Sequence, residues 1–543
     1  MPVNVGRRLS ETARKLPDGI AVVVPRKQTA AGWQYDRHTF RELDDDSDAL
    51  ARGLLRMDVA PGTRLALLVR PSYRFVALVF ALFKSAAVQI LIDPGMGRRN
   101  LLACLDEVEP RGFVAVSTVQ AVRTLLRRRY AAAKLNVTVG RRWFWRGETY
   151  ESLLRLGRDE LPLPTTLADD PAAIIFTTGS TGPPKGVLYR HGNFDRQVDE
   201  IRDAYGIRPG EIDVSCFPLF ALFNCAMGVT TVLPRMDFTR PAAADPRNVL
   251  AAINDNRATQ SFGSPAVWKS VGLHCERSGE RLPTLRRVLS AGAPVHAPVL
   301  RRMRACLHPD ATVHTPYGAT EALPVATIEA AEVLNETAAR TDAGGGVCVG
   351  RRFPGIEWKV LRIVDGPIAH LADAEELPAG EIGELVVRGP AVTSEYVGRP
   401  RANALGKIAD GEAIWHRMGD AGYLDEQARF WFCGRVAHRV TTPVGMLFTI
   451  PCEAIFNVHP DVNRTALVGV GPPGQQRPVI VVEFHGRWPR DFQRALRNLA
   501  LGSPLTAGIV DFLIHPSFPV DIRHNAKIFR EKLAVWAARR LSR

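Results

Sequence analysis

Residues 172–186 read Ala-Ala-Ile-Ile-Phe-Thr-Thr-Gly-Ser-Thr-Gly-Pro-Pro-Lys-Gly. Ala172–Phe176 is an apolar run of strand length, and small, hydroxyl-rich residues follow it without a break. Gly179 and Gly182 tolerate positive φ, so the backbone can approach an anion closely, while Thr177, Thr178, Ser180 and Thr181 add hydroxyl donors. Lys185 adds a flexible point charge. The pattern is not a Walker loop. Its glycines are three apart, Pro183 and Pro184 remove two amide donors, and Gly186 stands where Ser or Thr would follow the lysine. A buried strand running into a phosphate-gripping loop is the expectation.

Around this stretch, short apolar runs alternate with longer helical patterns. The runs are Ala21–Val24, Leu65–Val69, Val88–Ile92, Val229–Leu233 and Val288–Leu289, and they predict α/β layering without an internal repeat. Phe75–Phe83 is apolar over nine residues between Arg74 and Lys84, far short of the roughly 20 that span a bilayer, so it predicts a core helix. A chain of 543 residues exceeds one ordinary core, and beyond Arg435 the pattern becomes a compact unit of about 110 residues. The boundary falls at Gly434-Arg435, giving units 1–433 and 434–543.

The formal net charge is +14, yet the arginines are scattered and no zinc-ligand spacing or RNA-binding aromatic motif accompanies them, so no nucleic-acid partner is expected. Residues 127–146 hold Arg127-Arg128-Arg129-Tyr130 and Arg141-Arg142-Trp143-Phe144-Trp145-Arg146. They suit an exposed basic helix followed by a strand packing its aromatics inward. An anionic membrane surface is the other reading. Eight dispersed cysteines without a Cys-x-x-Cys pair predict buried, reduced thiols, and the first residues lack an apolar signal core. A cytoplasmic location is the expectation.

The loop at 177–186 resembles the phosphate loop of the adenylate-forming superfamily, which includes acyl-CoA synthetases, luciferases and peptide-synthetase adenylation domains. Four further matches follow in order. Thr-Pro-Tyr-Gly-Ala-Thr-Glu at 315–321 resembles the second nucleotide motif. The resemblance implies that Tyr317 lies against adenine beside Gly318 and Ala319, that Thr320 touches the α-phosphate, and that Glu321 holds magnesium, a hard cation suited to oxygen ligands. Ser290-Ala291-Gly292-Ala293-Pro294 is similar to the strand end that walls the adenine, implicating Gly292, Ala293 and Pro294. Met418-Gly419-Asp420 and Gly434-Arg435 match the positions whose Asp and Arg approach the ribose. Arg523-His524-Asn525-Ala526-Lys527-Ile528 resembles the catalytic-lysine loop, with Lys527 bridging carboxylate and α-phosphate; Ala526 replaces the usual glycine, and Lys532 is the competing lysine.

The resemblance implies a large multi-sheet α/β N-terminal adenylate-forming domain, a small mobile α+β C-terminal domain, and ATP with Mg²⁺ as cofactors. Three departures touch the step after adenylation. The hinge reads Val436-Ala437-His438-Arg439, the next segment Pro443-Val444-Gly445-Met446-Leu447-Phe448, and Phe217-Pro218-Leu219-Phe220-Ala221 lacks a histidine common after Pro-Leu-Phe. The stretch 317–326 resembles the branch that forms β-lactones in bacterial long-chain olefin biosynthesis. That branch takes a long-chain 2-alkyl-3-hydroxy fatty acid, whose own hydroxyl is the nucleophile. A reactive, water-insoluble product of that kind leads to the expectation of association with other enzymes of the olefin pathway. A fatty acyl-CoA or acyl-AMP ligase is the alternative. His314, near the second motif, is read as structural.

Overall fold

The computed structural model describes residues 2–30, 32–177, 183–486, 491–520 and 528–542. Two seven-stranded sheets carry most of the first 330 residues. One runs in the order Glu148–Thr149, Leu135–Val139, Gly112–Val116, Arg64–Leu68, Val88–Leu91, Pro171–Phe176, Gly186–Arg190, and is parallel except for its last pair. The other runs Thr312–His314, Arg287–Ser290, Gln260–Gly263, Ile212–Ser215, Thr230–Val232, Ile20–Thr29, Gly32–Thr39, antiparallel only in its final pair. Strands covered on both faces favour apolar side chains, which is why several of them read as continuous runs rather than alternating ones.

The helix Tyr73–Lys84 shows how the layers are joined. Ser72 caps it by accepting from the Phe75 amide at 3.3 Å, and every residue from Phe75 to Lys84 is buried. Its side chains share one apolar cluster with Val22 and Leu289 of one sheet, Leu67 and Val114 of the other, and Leu385 and Phe430 of a third. Each fully buried Phe or Leu contributes roughly 1.5–3 kcal/mol. Lys84, which ends the helix in this interior, is neutralised by Asp44 at 2.5 Å and Asp48 at 2.7 Å.

The third sheet is antiparallel, ordered Val347–Cys348, Phe430–Arg435, Ala413–Leu424, Gly383–Arg388, Glu357–Leu361, with Lys407–Asp410 paired beside Ala413–Leu424. After a short turn at Val436–His438, the strands Val462–Val470, Arg477–Phe484 and Asp511–Ile514 form a sheet of their own. Strand periodicity divides its side chains. Leu467, Ile480 and Val482 pack on Phe456, Leu496 and Ala500, while Ala466, Val468, Val479 and Val481 pack on Leu533 and Ala537.

Residues 127–146 depart from the expected exposed helix and inward strand. The helix ends at Leu125, and Arg127–Ala132 form turns. Two contacts pull the chain off the helix axis: Arg129 pairs with Asp106, and Tyr130 buries its ring edge-on to Phe113 at 5.3 Å. The aromatics lie in a loop after the strand Leu135–Val139, and only Trp145 turns inward, donating to Thr138 Oγ1 at 2.9 Å. Trp143 and Phe144 are 52% and 70% exposed. All eight cysteines are free and buried, as expected. No helix among the described residues is long and apolar enough to cross a membrane.

Candidate active site

The phosphate loop is the connection of a β-hairpin. Pro171–Phe176 and Gly186–Arg190 pair antiparallel, with Phe176 opposite Gly186. Past this pair the mouth is closed by two bonds: the Thr177 amide donates to the Lys185 carbonyl at 3.0 Å, and the Lys185 amide donates to Thr177 Oγ1 at 3.4 Å. Thr178, Gly179, Ser180, Thr181 and Gly182 lie outside the described residues. The Lys185 ammonium stands 4.2 Å from the centre of the Tyr396 ring. Burial lowers its pKa, the Glu321 carboxylate opposes the shift, and Arg435 and Arg399 reinforce it.

The second motif is a tight hairpin, Tyr317–Ala319 against Ala322–Thr327, with Thr320 and Glu321 at its tip. Gly318 suits it because an added Cβ would meet the Ala322 carbonyl at 2.7 Å. The Tyr189 hydroxyl donates to the Thr320 carbonyl at 2.5 Å, and the Tyr396 hydroxyl donates to Glu321 Oε1 at 2.7 Å. The carboxylate therefore sits within the electrostatic reach of Lys185.

The third sheet completes the cluster. Asp420 and Arg435 are direct partners in the ladder of Ala413–Leu424 with Phe430–Arg435, so their spacing of fifteen residues is the register of a hairpin. Arg435 donates to Asp420 Oδ1 at 2.7 Å and to the Met418 carbonyl at 3.1 Å. Tyr317 donates to Asp420 Oδ2 at 2.5 Å. Burial and the neighbouring carboxylate push the Tyr317 hydroxyl pKa well up, while Asp420 raises that of Arg435. Gly434, at φ 127°, is required here: a Cβ would lie 2.2 Å from Thr449 Oγ1.

Gly292, Ala293 and Pro294 follow the strand Arg287–Ser290, next to the strand Thr312–His314 that leads into Tyr317. Among the described residues no hydrogen bond ties those three to the cluster. Lys527 lies outside the described residues. Its competitor Lys532 is exposed on the helix Arg530–Leu541, with its ammonium 4.7 Å from the Phe529 ring centre. His314 packs against Tyr205 at 5.0 Å, and burial lowers its pKa, both fitting the structural reading.

Several residues of the site went unread in the sequence. Tyr396 is held by reciprocal bonds with Asn403, its amide donating at 2.7 Å and its carbonyl accepting at 3.0 Å. Thr393 donates from both its amide and its hydroxyl to the Glu321 carbonyl, each at 2.9 Å. Lys407 donates to the Thr393 carbonyl, and its ammonium is 5.6 Å from the Tyr396 ring centre. Burial pushes the Lys407 ammonium down to about 7, with Glu321 opposing. No motif marks these positions; only the Tyr396 type, an aromatic between two motifs, was a signal.

A lysine-bearing hairpin, a carboxylate at a hairpin tip and a Tyr–Asp–Arg group between two sheets are the arrangement expected of an adenylate-forming enzyme. The chain belongs to the AMP-binding enzyme family, whose model matches residues 9–397. It is 47% identical to the olefin β-lactone synthetase of Xanthomonas campestris pv. campestris over 98% of this chain and 97% of that protein. It is 48% identical to the olefin β-lactone synthetase of Stenotrophomonas maltophilia over 100% and 99%. The fold is shared with the O-succinylbenzoate coenzyme A synthetase of Bacillus subtilis in complex with ATP and magnesium ion (TM-score 0.75, 20% identity, 98% and 99% covered). It is shared equally with the amide bond synthetase of Marinactinospora thermotolerans (TM-score 0.78, 23% identity, 98% and 99%).

Proposed function

We propose that this chain activates a long-chain 2-alkyl-3-hydroxy fatty acid with ATP and closes the acyl-adenylate to a β-lactone, in the biosynthesis of long-chain olefins. The observation that carries this reading is the 47–48% identity to two olefin β-lactone synthetases over nearly the whole of both chains. The residues fit the nucleotide. Among the described residues Arg435 Nε and Ser290 Oγ are buried polar atoms with no hydrogen-bond partner, as atoms that would meet the ribose and adenine would be. Glu321 would hold Mg²⁺, whose preference for one or two carboxylates with substrate phosphates suits a lone acidic side chain. The ion, when bound, neutralises phosphate charge.

Lys185 and the hairpin loop bind the outer phosphates, Asp420 and Arg435 the ribose, and Tyr317 flanks the base. Lys527 stabilises charge between the carboxylate and the α-phosphate as pyrophosphate leaves. In the second step the substrate's 3-hydroxyl oxygen forms a bond to the acyl carbon, the bond from that carbon to the AMP oxygen breaks, and the hydroxyl proton passes to a base. The nucleophile is already tethered two carbons away, so orientation alone gives it a high effective concentration. Residues 1–433 form the adenylation domain and 434–543 a mobile cap. A water-insoluble lactone favours direct transfer to other pathway enzymes, and the patch around residues 127–146 supplies contact with anionic membrane.

Mass spectrometry of products from ATP, Mg²⁺ and a long-chain 3-hydroxy acid, with and without CoA, tests the reading. AMP, pyrophosphate and a β-lactone without CoA are expected, and the 3-deoxy acid is expected to stall as bound adenylate. Strict dependence on CoA with a thioester as sole product refutes it and establishes the acyl-CoA ligase instead. Limited proteolysis near residues 434–445 that never changes with ATP and acid refutes the mobile cap.

A further inference from the structure

Lys407 has no role among the nucleotide contacts, yet it sits beside them. It opens the strand Lys407–Asp410, where it pairs with His416 of the strand that carries Asp420. Among the described residues it makes no ion pair within 4.0 Å. A lysine so enclosed loses solvation without a direct carboxylate partner, which is costly unless its position serves something else. Among the described residues its ammonium makes one hydrogen bond, to the Thr393 carbonyl.

Glu321 is gripped at both ends by the segment that Lys407 closes. Thr393 donates twice to its main-chain carbonyl, and Tyr396 donates to its carboxylate. Two ammonium groups stand near the Tyr396 ring centre, Lys185 at 4.2 Å and Lys407 at 5.6 Å. Cations near a ring face are attracted to its quadrupole, so the pair restrains the ring whose hydroxyl aims the carboxylate. Lys407 therefore acts on both grips, through the Thr393 peptide and through the ring.

We propose that Lys407 is a positioning residue for Glu321, fixing through Thr393 and Tyr396 the carboxylate that receives the divalent cation of the metal–ATP complex. The proposal rests on the ATP-dependent part of the reaction assigned above. Groups that orient a metal-binding side chain without touching the ion typically contribute about 10–100-fold to metal affinity. The ribose end, at Asp420 and Arg435, is served by other contacts and is not expected to respond.

The test uses the full chain and Mn²⁺ as probe, titrated by electron paramagnetic resonance in the presence of ATP, with metal-free AMP binding measured calorimetrically. Lys407→Met is expected to weaken Mn²⁺ binding about tenfold or more while AMP affinity holds, with Lys407→Arg restoring most of the loss. Unchanged Mn²⁺ affinity in folded Lys407→Met overturns the proposal. So does an equal weakening of AMP and Mn²⁺, which marks a merely structural lysine, or a Lys407→Arg no better than Met. Should Lys407→Met fail to fold, Tyr396→Phe reads the same grip: it is expected to show the metal-selective loss, and an unaltered Mn²⁺ titration overturns the proposal. Absence of ATP binding by the unmutated protein refutes the assigned reaction instead, so the two failures are distinguishable.

Discussion

Asp420 offers the most direct measure of the nucleotide cradle. A carboxylate offers about four lone-pair sites, of which the structure uses two, for Tyr317 at 2.5 Å and Arg435 at 2.7 Å. Two remain, which the proposed placement gives to the ribose hydroxyls. Hydrogen bonds to a charged acceptor contribute about 1.5–3 kcal/mol each, so Asp420→Ala, which removes both, is expected to weaken ATP binding by roughly 10²–10⁴-fold. Asp420→Asn keeps one oxygen acceptor and loses the charge, for an expected loss of roughly 10–100-fold. The assay is calorimetric binding of ATP and of 2′-deoxy-ATP to the native chain and Asp420→Asn, with thermal melts as a control because Arg435 loses its carboxylate. The native chain should discriminate against the deoxynucleotide, and the variant should lose most of that discrimination. A folded Asp420→Asn that still prefers ATP by the native ratio refutes the placement of the ribose at this residue.

Lys527→Ala is expected to slow pyrophosphate release by about 10²–10³ through loss of one preorganised charge partner, with Lys532→Ala mild. A stopped-flow pyrophosphate assay in which the two effects are exchanged would show that the catalytic loop is misaligned. His191 is fully buried, neither ring nitrogen has a hydrogen-bond partner among the described residues, and burial pulls its pKa down to about 4. The unfolded chain binds this proton more readily, so its neutral form stabilises the fold above pH 6.5, and that stability is lost as pH falls from about 6.5 towards 4. Urea titrations should show His191→Leu flattening this part of the pH profile; an unchanged slope refutes the assignment. Finally, vesicles rich in phosphatidylglycerol should co-float the protein where phosphatidylcholine vesicles do not, and Trp143→Ala with Phe144→Ala should abolish it. Flotation indifferent to lipid charge or to both substitutions rules out the membrane reading of residues 127–146.

What could be read from residues alone follows the range of the interactions concerned. Some parallel strands were legible because burial on both faces leaves a continuous apolar run, as at Ala172–Phe176, whereas Ile212–Ser215 and Gln260–Gly263 bury Asp213, Ser215, Gln260 and Ser261 and were not. Asp420 and Arg435 were legible as a pair because a single hairpin turns their separation into direct opposition. The third sheet went largely unread. Its strand Ala413–Leu424 buries His416, Arg417 and Asp420, each matched to partners distant in sequence, such as Glu384 at 2.6 Å from Arg417. Polar residues compensated in that way erase the alternation by which an antiparallel strand is recognised. Tyr396 was hidden for a related reason. Its contact with Glu321 depends on an isolated bridge between Ala322 and Val392, a tertiary crossing without local periodicity. The arginine-rich run at 127–132 suited a helix locally, but the Asp106–Arg129 pair and the burial of Tyr130 outweighed propensity, which is a weak prior against tertiary contacts.

The junction after Arg435 bears on why an internal nucleophile suits this chain. Arg439 binds both oxygens of Asp365, at 2.6 and 2.7 Å, while His438 contacts Glu531 at 3.0 Å. Arg439 is thus tied to the loop at Asp365 and its neighbour His438 to the last helix, so the proposed rotation of residues 434–543 would break at least one of these contacts. Both are partly solvated, and exposed ion pairs contribute only about 0–1 kcal/mol, too little to lock the junction. The hairpin that follows carries Val444, 97% exposed, at its turn, with Gly445 and Met446 beside it. Its side chains Val444, Met446 and Leu447 include no cation to meet the phosphates of an incoming thiol donor. A substrate bearing its own hydroxyl needs no such donor: once adenylated, it requires only that the cleft hold the oxygen near the acyl carbon while AMP departs. The proposed nucleotide-binding residues beside an apolar hairpin at 440–447 are a combination that such a reaction permits and that transfer to an external thiol does not explain.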